Sequence, residues 1–265
     1  MTKGIQPNYN FDIIKEFINR GKSLVEIAKY YNVHRVSMGR VLRKAKIDYP
    51  EQRKIIVNHD FFENIDSEIK AYLLGFFVAD GCVYNKHRIG LCIAEQDEYI
   101  VKLFAQYIAP LSFIKKLHNT KSAKNRQPQL FLRISSSKLV SDLAKLGIFE
   151  RKTYKPMFIP NISEELKWHF IRGYFDGDGY FGNRIINKKY NSYRIVFTNG
   201  DPTILNDIQN FTKLGKVKSI KKYAILDLST NKNVMYFLHK MYDNANFKLP
   251  RKFNKFLKVN TEVSK

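Results

Sequence analysis

Cysteine and acid are what this chain lacks. Two cysteines occur in 265 residues, and 24 Asp and Glu stand against 46 Lys and Arg. Cys82 and Cys92 are too few for a disulfide framework or a zinc-ligand set. No apolar run approaches the roughly 20 residues that span a bilayer, and the Met-Thr-Lys-Gly start has no apolar core of a secretory signal. The expectation is a soluble, intracellular protein (cytoplasm or organelle matrix) with no membrane partner. The shortage of acid leaves a formal charge of +22, more than solubility requires. Such a charge points to a polyanion, nucleic acid ahead of an anionic membrane surface. Apolar residues are plentiful: 44% are hydrophobic, with 20 Phe and 16 Tyr, enough for a sizeable core.

Two stretches organise the rest. Leu73-Leu74-Gly75-Phe76-Phe77-Val78-Ala79-Asp80-Gly81 and Ile171-Arg172-Gly173-Tyr174-Phe175-Asp176-Gly177-Asp178-Gly179 are apolar runs closed by Asp-Gly. Read as helices, each sets two small residues on one face, Gly75/Ala79 and Gly173/Gly177, because positions i and i+4 are neighbours. Two such faces can pack backbone to backbone. The final Gly is expected at a left-handed helix C′ position. Asp80 and Asp178 then sit at helix C-termini, where the dipole disfavours a carboxylate, and a divalent cation between them would relieve the conflict.

Further features recur in the same order. Ile93 to Ile100 is read as the counterpart of Phe197 to Ile204, with Asp97 and Asp201 as helix N-caps. Leu132-Arg133-Ile134-Ser135 matches Leu226-Asp227-Leu228-Ser229, and Arg151-Lys152 and Lys155 match Arg251-Lys252 and Lys255. The repeated unit is roughly 100 residues, too long for a solenoid repeat. Each half reads α-β-β-α-β-β-α, with strands at 82–85, 88–95, 111–118 and 129–135, then 180–186, 193–199, 215–221 and 223–229. The strands alternate an apolar face with a mixed, partly basic one, as antiparallel sheets open on one side do. Lys115, Lys116, Lys121, Lys124 and Arg126 gather at one hairpin, and Lys216, Lys218, Lys221 and Lys222 at another.

The first fifty residues read as three helices. Phe11 to Asn19 carries an apolar stripe, Ser23 with Glu26 makes a capping box for the second helix, and Asn32 suits a left-handed turn. The third helix runs from about His34 to Ala45, with Met38, Val41 and Leu42 inward. The pattern resembles a helix-turn-helix of the resolvase and sigma-like kind, with Arg35, Arg40, Arg43 and Lys44 facing DNA. The expected division is 1–48 for this domain, 49–65 for a connector, and 66–160 and 161–265 for the two halves.

The paired stretches resemble the motifs of the LAGLIDADG homing endonucleases, over roughly residues 66 to 258. Gly75/Gly173, Asp80/Asp178 and Gly81/Gly179 fall in register. Val78 departs from a family pattern in which a second acid is frequent and which Asp176 keeps. Arg172 in an apolar slot suggests a helix edge meeting solvent or DNA. The resemblance implies an α+β fold of two pseudo-symmetric αββαββα halves forming a saddle on DNA, preceded by a small all-α domain. It implies hydrolysis of both strands of double-stranded DNA by a monomer, with no small-molecule substrate. Asp80 and Asp178 would bind Mg²⁺, with Mn²⁺ as a substitute and the Ala79 and Gly177 carbonyls assisting. Gln96 would organise water. The family's later-strand lysine has no obvious counterpart, which leaves Arg133, Lys221 or Lys222 as substitutes. Base readout would come from Arg88, Arg133, Arg194, Lys221 and Tyr223, since Arg pairs with guanine edges. A non-catalytic DNA-binding regulator and an RNA maturase remain alternatives on the same scaffold.

Overall fold

The computed structural model describes residues 8–49, 56–110, 112–117, 127–152, 155–186 and 190–263. The chain divides into two compact units, 1–54 and 55–265. The smaller holds α1 (Phe11–Asn19), α2 (Leu24–Tyr30) and α3 (Arg35–Lys44) around Ile14, Ile27, Ala28, Met38 and Leu42. Its local signals act as the residue types require. Ser23 caps α2 reciprocally with Glu26, Asn32 takes φ 50° between α2 and α3, and the His34 side chain caps α3.

The larger unit starts earlier than a connector ending at residue 65 would allow. Phe61 and Phe62 are buried in its core, Asn58 N–H bonds the Ile108 carbonyl, and His59 reaches Ser136. The aromatic pair supplies enough apolar surface to dock the segment.

Two halves follow. The first contains α4 (Glu68–Asp80), β1 (Gly81–Tyr84), β2 (Arg88–Ala94), α5 (Glu98–Ile108), β3 (Lys115–Leu117), β4 (Gln129–Ser135) and α6 (Ser137–Lys145). The second contains α7 (Glu164–Asp178), β5 (Tyr180–Ile186), β6 (Tyr190–Asn199), α8 (Thr203–Thr212), β7 (Lys216–Ile220), β8 (Tyr223–Leu228) and α9 (Asn231–Tyr242), and adds α10 (Pro250–Val263). The antiparallel sheets run β1-β2-β4-β3 and β5-β6-β8-β7. Lys121, Lys124 and Arg126 lie outside the described residues.

Each sheet buries one face. Val83, Ile89, Leu91, Ile93, Leu130, Leu132 and Ile134 point inward in the first, and Phe181, Tyr193, Ile195, Phe197, Leu226 and Leu228 in the second. One continuous core joins these side chains to the paired helices α4 and α7.

The ladders correct one alignment. Cys82 and Tyr180 each lie two residues beyond their Asp; Cys82 faces Gly90, and Tyr180 faces Val196. Leu91, not Ile93, is therefore the counterpart of Phe197. The reason is the hairpin: β1 and β2 meet at a three-residue turn, Asn85–His87, whereas β5 and β6 stay paired out to Ile186 and Tyr190. Phe197 thus lies 197 − 178 = 19 residues beyond Asp178, whereas Leu91 lies 91 − 80 = 11 beyond Asp80.

Candidate active site and nucleic-acid interface

The site begins with glycine. A Cβ on Gly75 would stand 2.0 Å from the Phe170 carbonyl oxygen, and one on Gly173 would stand 2.0 Å from that of Tyr72. The contacts are reciprocal, so α4 and α7 cross with backbones touching. At the helix tips a Cβ on Gly177 would meet the Ala79 Cβ at 2.3 Å and Asp80 Oδ2 at 3.2 Å. The small residues hold the two C-termini together and bring Asp80 to the tip that carries Asp178.

Gly81 and Gly179 close the helices by a different route from the left-handed turn expected. Both are extended, at φ −73° and −72°. Space excludes a side chain there: a Cβ would press the Phe77 ring at 2.3 Å and the Phe175 ring at 2.2 Å.

Asp80 is half-buried and Asp178 solvent-accessible, yet atoms crowd both. Burial first, and the Asp178 charge second, push the Asp80 carboxyl up to about 6, against the pull of Lys152 and Lys252. Burial also raises Asp178, with the same two lysines opposing. These lysines are the basic residues that the strand-based reading missed. Lys152 Nζ donates to the Val78 carbonyl and, at 2.5 Å, to the Ala79 carbonyl. Lys252 Nζ donates to the Phe175 carbonyl and, at 2.5 Å, to that of Gly179. Each cation therefore caps the negative end of a motif helix, where a positive group is favoured. They lie not on a strand but after α6 and at the start of α10, away from the strand and turn positions of Arg133, Lys221 and Lys222. The repeat of Arg151-Lys152 in Arg251-Lys252 carried the signal.

The donor set suits a hard cation. Two crowded carboxylates at helix C-termini are under-compensated, and oxygen ligands match Mg²⁺ or Mn²⁺. Among the described residues no three His, Cys, Asp or Glu side chains group to hold a metal, so a cation would rest on the carboxylate pair and main-chain oxygens. The Ala79 oxygen is already engaged by Lys152.

Asp176 and Arg172 have other tasks. Asp176 is fully buried and accepts from Tyr72 Oη (2.8 Å), Tyr242 Oη (2.6 Å) and Leu249 N–H (2.7 Å). Arg172, expected at solvent or DNA, is 1% exposed. It donates to Glu68 (2.7 Å) and to the Phe247 (2.7 Å) and Met241 (2.8 Å) carbonyls. Long and planar, its guanidinium reaches past the apolar slot to acceptors at α9 and the loop beyond.

A cavity of about 240 Å³ beside this centre is lined by Ala79, Lys152, Asp178, Thr198 and Tyr223, among others. Tyr223 thereby shares a cavity with Asp178 and Lys152. Gln96 is exposed in a three-residue turn after β2, and among the described residues no hydrogen bond holds its side chain. Asp97 does not cap α5 with its side chain; it forms a two-pronged ion pair with Arg251 at 2.7 and 2.9 Å, joining the halves. Arg88, Arg133, Arg194 and Lys221 are exposed, the three arginines on the open faces of the sheets and Lys221 at the β7–β8 turn. The Arg133 guanidinium lies over the Phe131 and Tyr84 rings, at 5.0 and 5.5 Å. Arg35, Arg40, Arg43 and Lys44 are exposed along α3.

The chain shares its fold with the LAGLIDADG meganuclease I-CpaMI bound to uncleaved DNA, at TM-score 0.55 and 12% identity over 73% of this chain and 91% of that one. The homing endonuclease I-GzeII in complex with its DNA target gives 0.54 and 14% identity over 73% and 90%. I-LtrWI bound to target DNA gives 0.53 and 12% identity over 76% and 92%. A search of curated protein sequences finds no match. A family model described as a LAGLIDADG-like domain matches twice, at residues 67–149 and 165–243. The two matches contain the two helices whose glycines interlock and whose tips carry Asp80 and Asp178, and the chain therefore belongs to the LAGLIDADG-like domain family.

Proposed function

We propose that this protein is a site-specific endonuclease of double-stranded DNA that acts as a monomer and takes Mg²⁺, or Mn²⁺ in its place, at Asp80 and Asp178. One observation carries the reading: two carboxylates meet at paired helix tips, and each tip is capped by a lysine. A cation held there would supply an activated water and charge neutralisation for a phosphodiester.

The remaining work belongs to the chain. Asp80 and Asp178 hold the site's negative charge in crowded surroundings, and Lys152 and Lys252 keep that charge from splaying the helix ends. The open sheet faces offer guanidinium groups to base edges, and the surface lysines offer charge to phosphates. The exposed Arg35, Arg40, Arg43 and Lys44 of the N-terminal unit add flanking phosphate or base contacts in the manner of a helix-turn-helix, raising affinity by linkage rather than by chemistry. Two similar but unequal halves in one chain fit an asymmetric target.

The test is cleavage of DNA from candidate insertion sites, with and without Mg²⁺. Asp80→Asn and Asp178→Asn are expected to bind the target but to lose strand cutting. Persistent cutting by either variant would remove the carboxylate pair from the mechanism. Binding without any cutting by the unaltered protein would support a regulator, and protein-dependent splicing of a host intron would support a maturase.

A further inference from the structure

The two open sheet faces carry different charges at equivalent positions. Gly90 and Val196 are equivalent by their pairing with Cys82 and Tyr180, and they face Arg133 and Asp227 on β4 and β8. Two residues earlier stand Arg88 and Arg194. The first half thus presents an Arg/Arg pair and the second an Arg/Asp pair.

The consequence is visible in side-chain geometry. In the second half Arg194 Nε and Nη2 donate to the two carboxylate oxygens of Asp227, both at 2.8 Å. Arg194 remains 44% exposed, whereas Asp227 is 15% exposed. The carboxylate lies against the sheet and the guanidinium stands above it. In the first half no carboxylate occupies the equivalent position, and Arg133 leans on aromatic rings instead.

A guanidinium has five N–H donors in a planar fork. Asp227 uses the Nε–H and one Nη2–H. The outer edge, Nη1 and the second Nη2–H, remains as a two-donor edge on a side chain that is 44% exposed. That is the complement of the O6 and N7 acceptors of guanine.

Resting on the reading of the protein as a sequence-specific DNA binder, we infer that Asp227 is a specificity-positioning residue: it locks Arg194 into an orientation that reads one guanine in the second half-site. Asp227 makes no base contact in this role. It removes the rotational freedom by which Arg194 could reach a phosphate, so the arginine contributes identity more than affinity. The first half, where Arg133 stands in the place of Asp227, contributes more phosphate attraction and reads its corresponding position more loosely.

In vitro selection from a random-sequence duplex library, followed by sequencing of the bound pool, tests this with the full chain. The unaltered protein should enrich a motif with a strongly preferred G at one position. Asp227→Asn should lower the preference at that position by roughly tenfold, the scale of one good bidentate contact. The rest of the motif should stay unchanged, and total affinity at low salt should be equal or higher. Arg194→Ala and Arg194→Lys should lose preference at the same position, because Lys has no fork. A purely structural Asp227 would instead weaken every position together and lower the Tm. The inference is overturned if Asp227→Asn leaves the motif intact, or if Asp227 and Arg194 variants alter different positions. A pool with no enriched motif for the unaltered protein overturns the DNA-binding reading itself, which is a separable result.

Discussion

Asp80 shows what a single residue costs when it is placed for chemistry rather than stability. Its carboxyl rises from 3.8 in the unfolded chain to about 6 in the fold. Between those values the folded state binds more protons than the unfolded one, so stability falls as pH rises through this window. Below about pH 4 both states are protonated and the penalty vanishes. Asp80→Asn should therefore stabilise the metal-free protein at pH 7.5 by about 2 kcal/mol, a figure discounted from the full shift for partial exposure. At pH 4 it should change little. Thermal melts in chelator at the two pH values check this, and equal Tm differences at both would contradict it. Asp176, two residues before Asp178, is held differently. Its three donors satisfy a carboxylate with no route to water, so Asp176→Asn, which turns one acceptor into a donor facing a tyrosine hydroxyl, should cost about 1–3 kcal/mol. Denaturant unfolding would measure it. Arg172 belongs with Asp176: both are polar groups buried to join helices, and neither is offered to a ligand.

At the scale of elements, the crossing of α4 and α7 decides the site. Gly→Ala within a helix ordinarily gains about 1 kcal/mol. At Gly75 and Gly173 the added methyl would occupy the place of a facing carbonyl oxygen, and a main chain cannot yield as a side chain does. Gly75→Ala and Gly173→Ala are expected to lose about 3 kcal/mol or more, the upper range for overpacking. They should also separate the carboxylates and abolish activity. Gly39→Ala in α3 is the control: its Cβ would meet Leu24 at an ordinary 3.5 Å, and the intrinsic helix preference should prevail. Chemical denaturation of the three variants distinguishes these outcomes. The elements after the sheets carry a second lesson. α10 starts where Arg251, Lys252 and Lys255 grip Asp97 and the carbonyls of Phe175, Gly179 and Phe181. Among the described residues of the first half, Lys152 alone of the matching residues reaches such oxygens; Arg151 is exposed and Lys155 lies over the Phe149 ring.

For the whole molecule, the separation into two units makes a direct prediction. Each unit has its own buried cluster, so a chain of residues 56–265 should fold with nearly the Tm of the larger unit. Under the proposed function it should cut the same site with lower affinity. Its binding should also depend less steeply on salt, by about one unit of slope per lost phosphate contact. Titrations across salt concentrations measure this. Unchanged affinity and slope would leave the exposed basic side chains of α3 without a part in binding.

Periodicity and repetition made much of this legible in sequence. The paired helices, the α-β-β-α-β-β-α order, the mixed strand faces and the carboxylate pair all follow from patterns of neighbours along the chain. The capping box at Ser23 and the left-handed Asn32 do as well, because local rules govern local contacts. What lay beyond those rules is set by residues distant in sequence. The strand register that makes Leu91 the counterpart of Phe197 depends on which residues pair across each sheet. The burial of Arg172 depends on acceptors at Glu68, Met241 and Phe247. The lysines at the helix tips arrive from segments more than seventy residues away. Sequence by itself determined which residues could form a site. Only the tertiary structure decided which cations stand beside the anions, because charge compensation in a crowded site is a matter of distance through space.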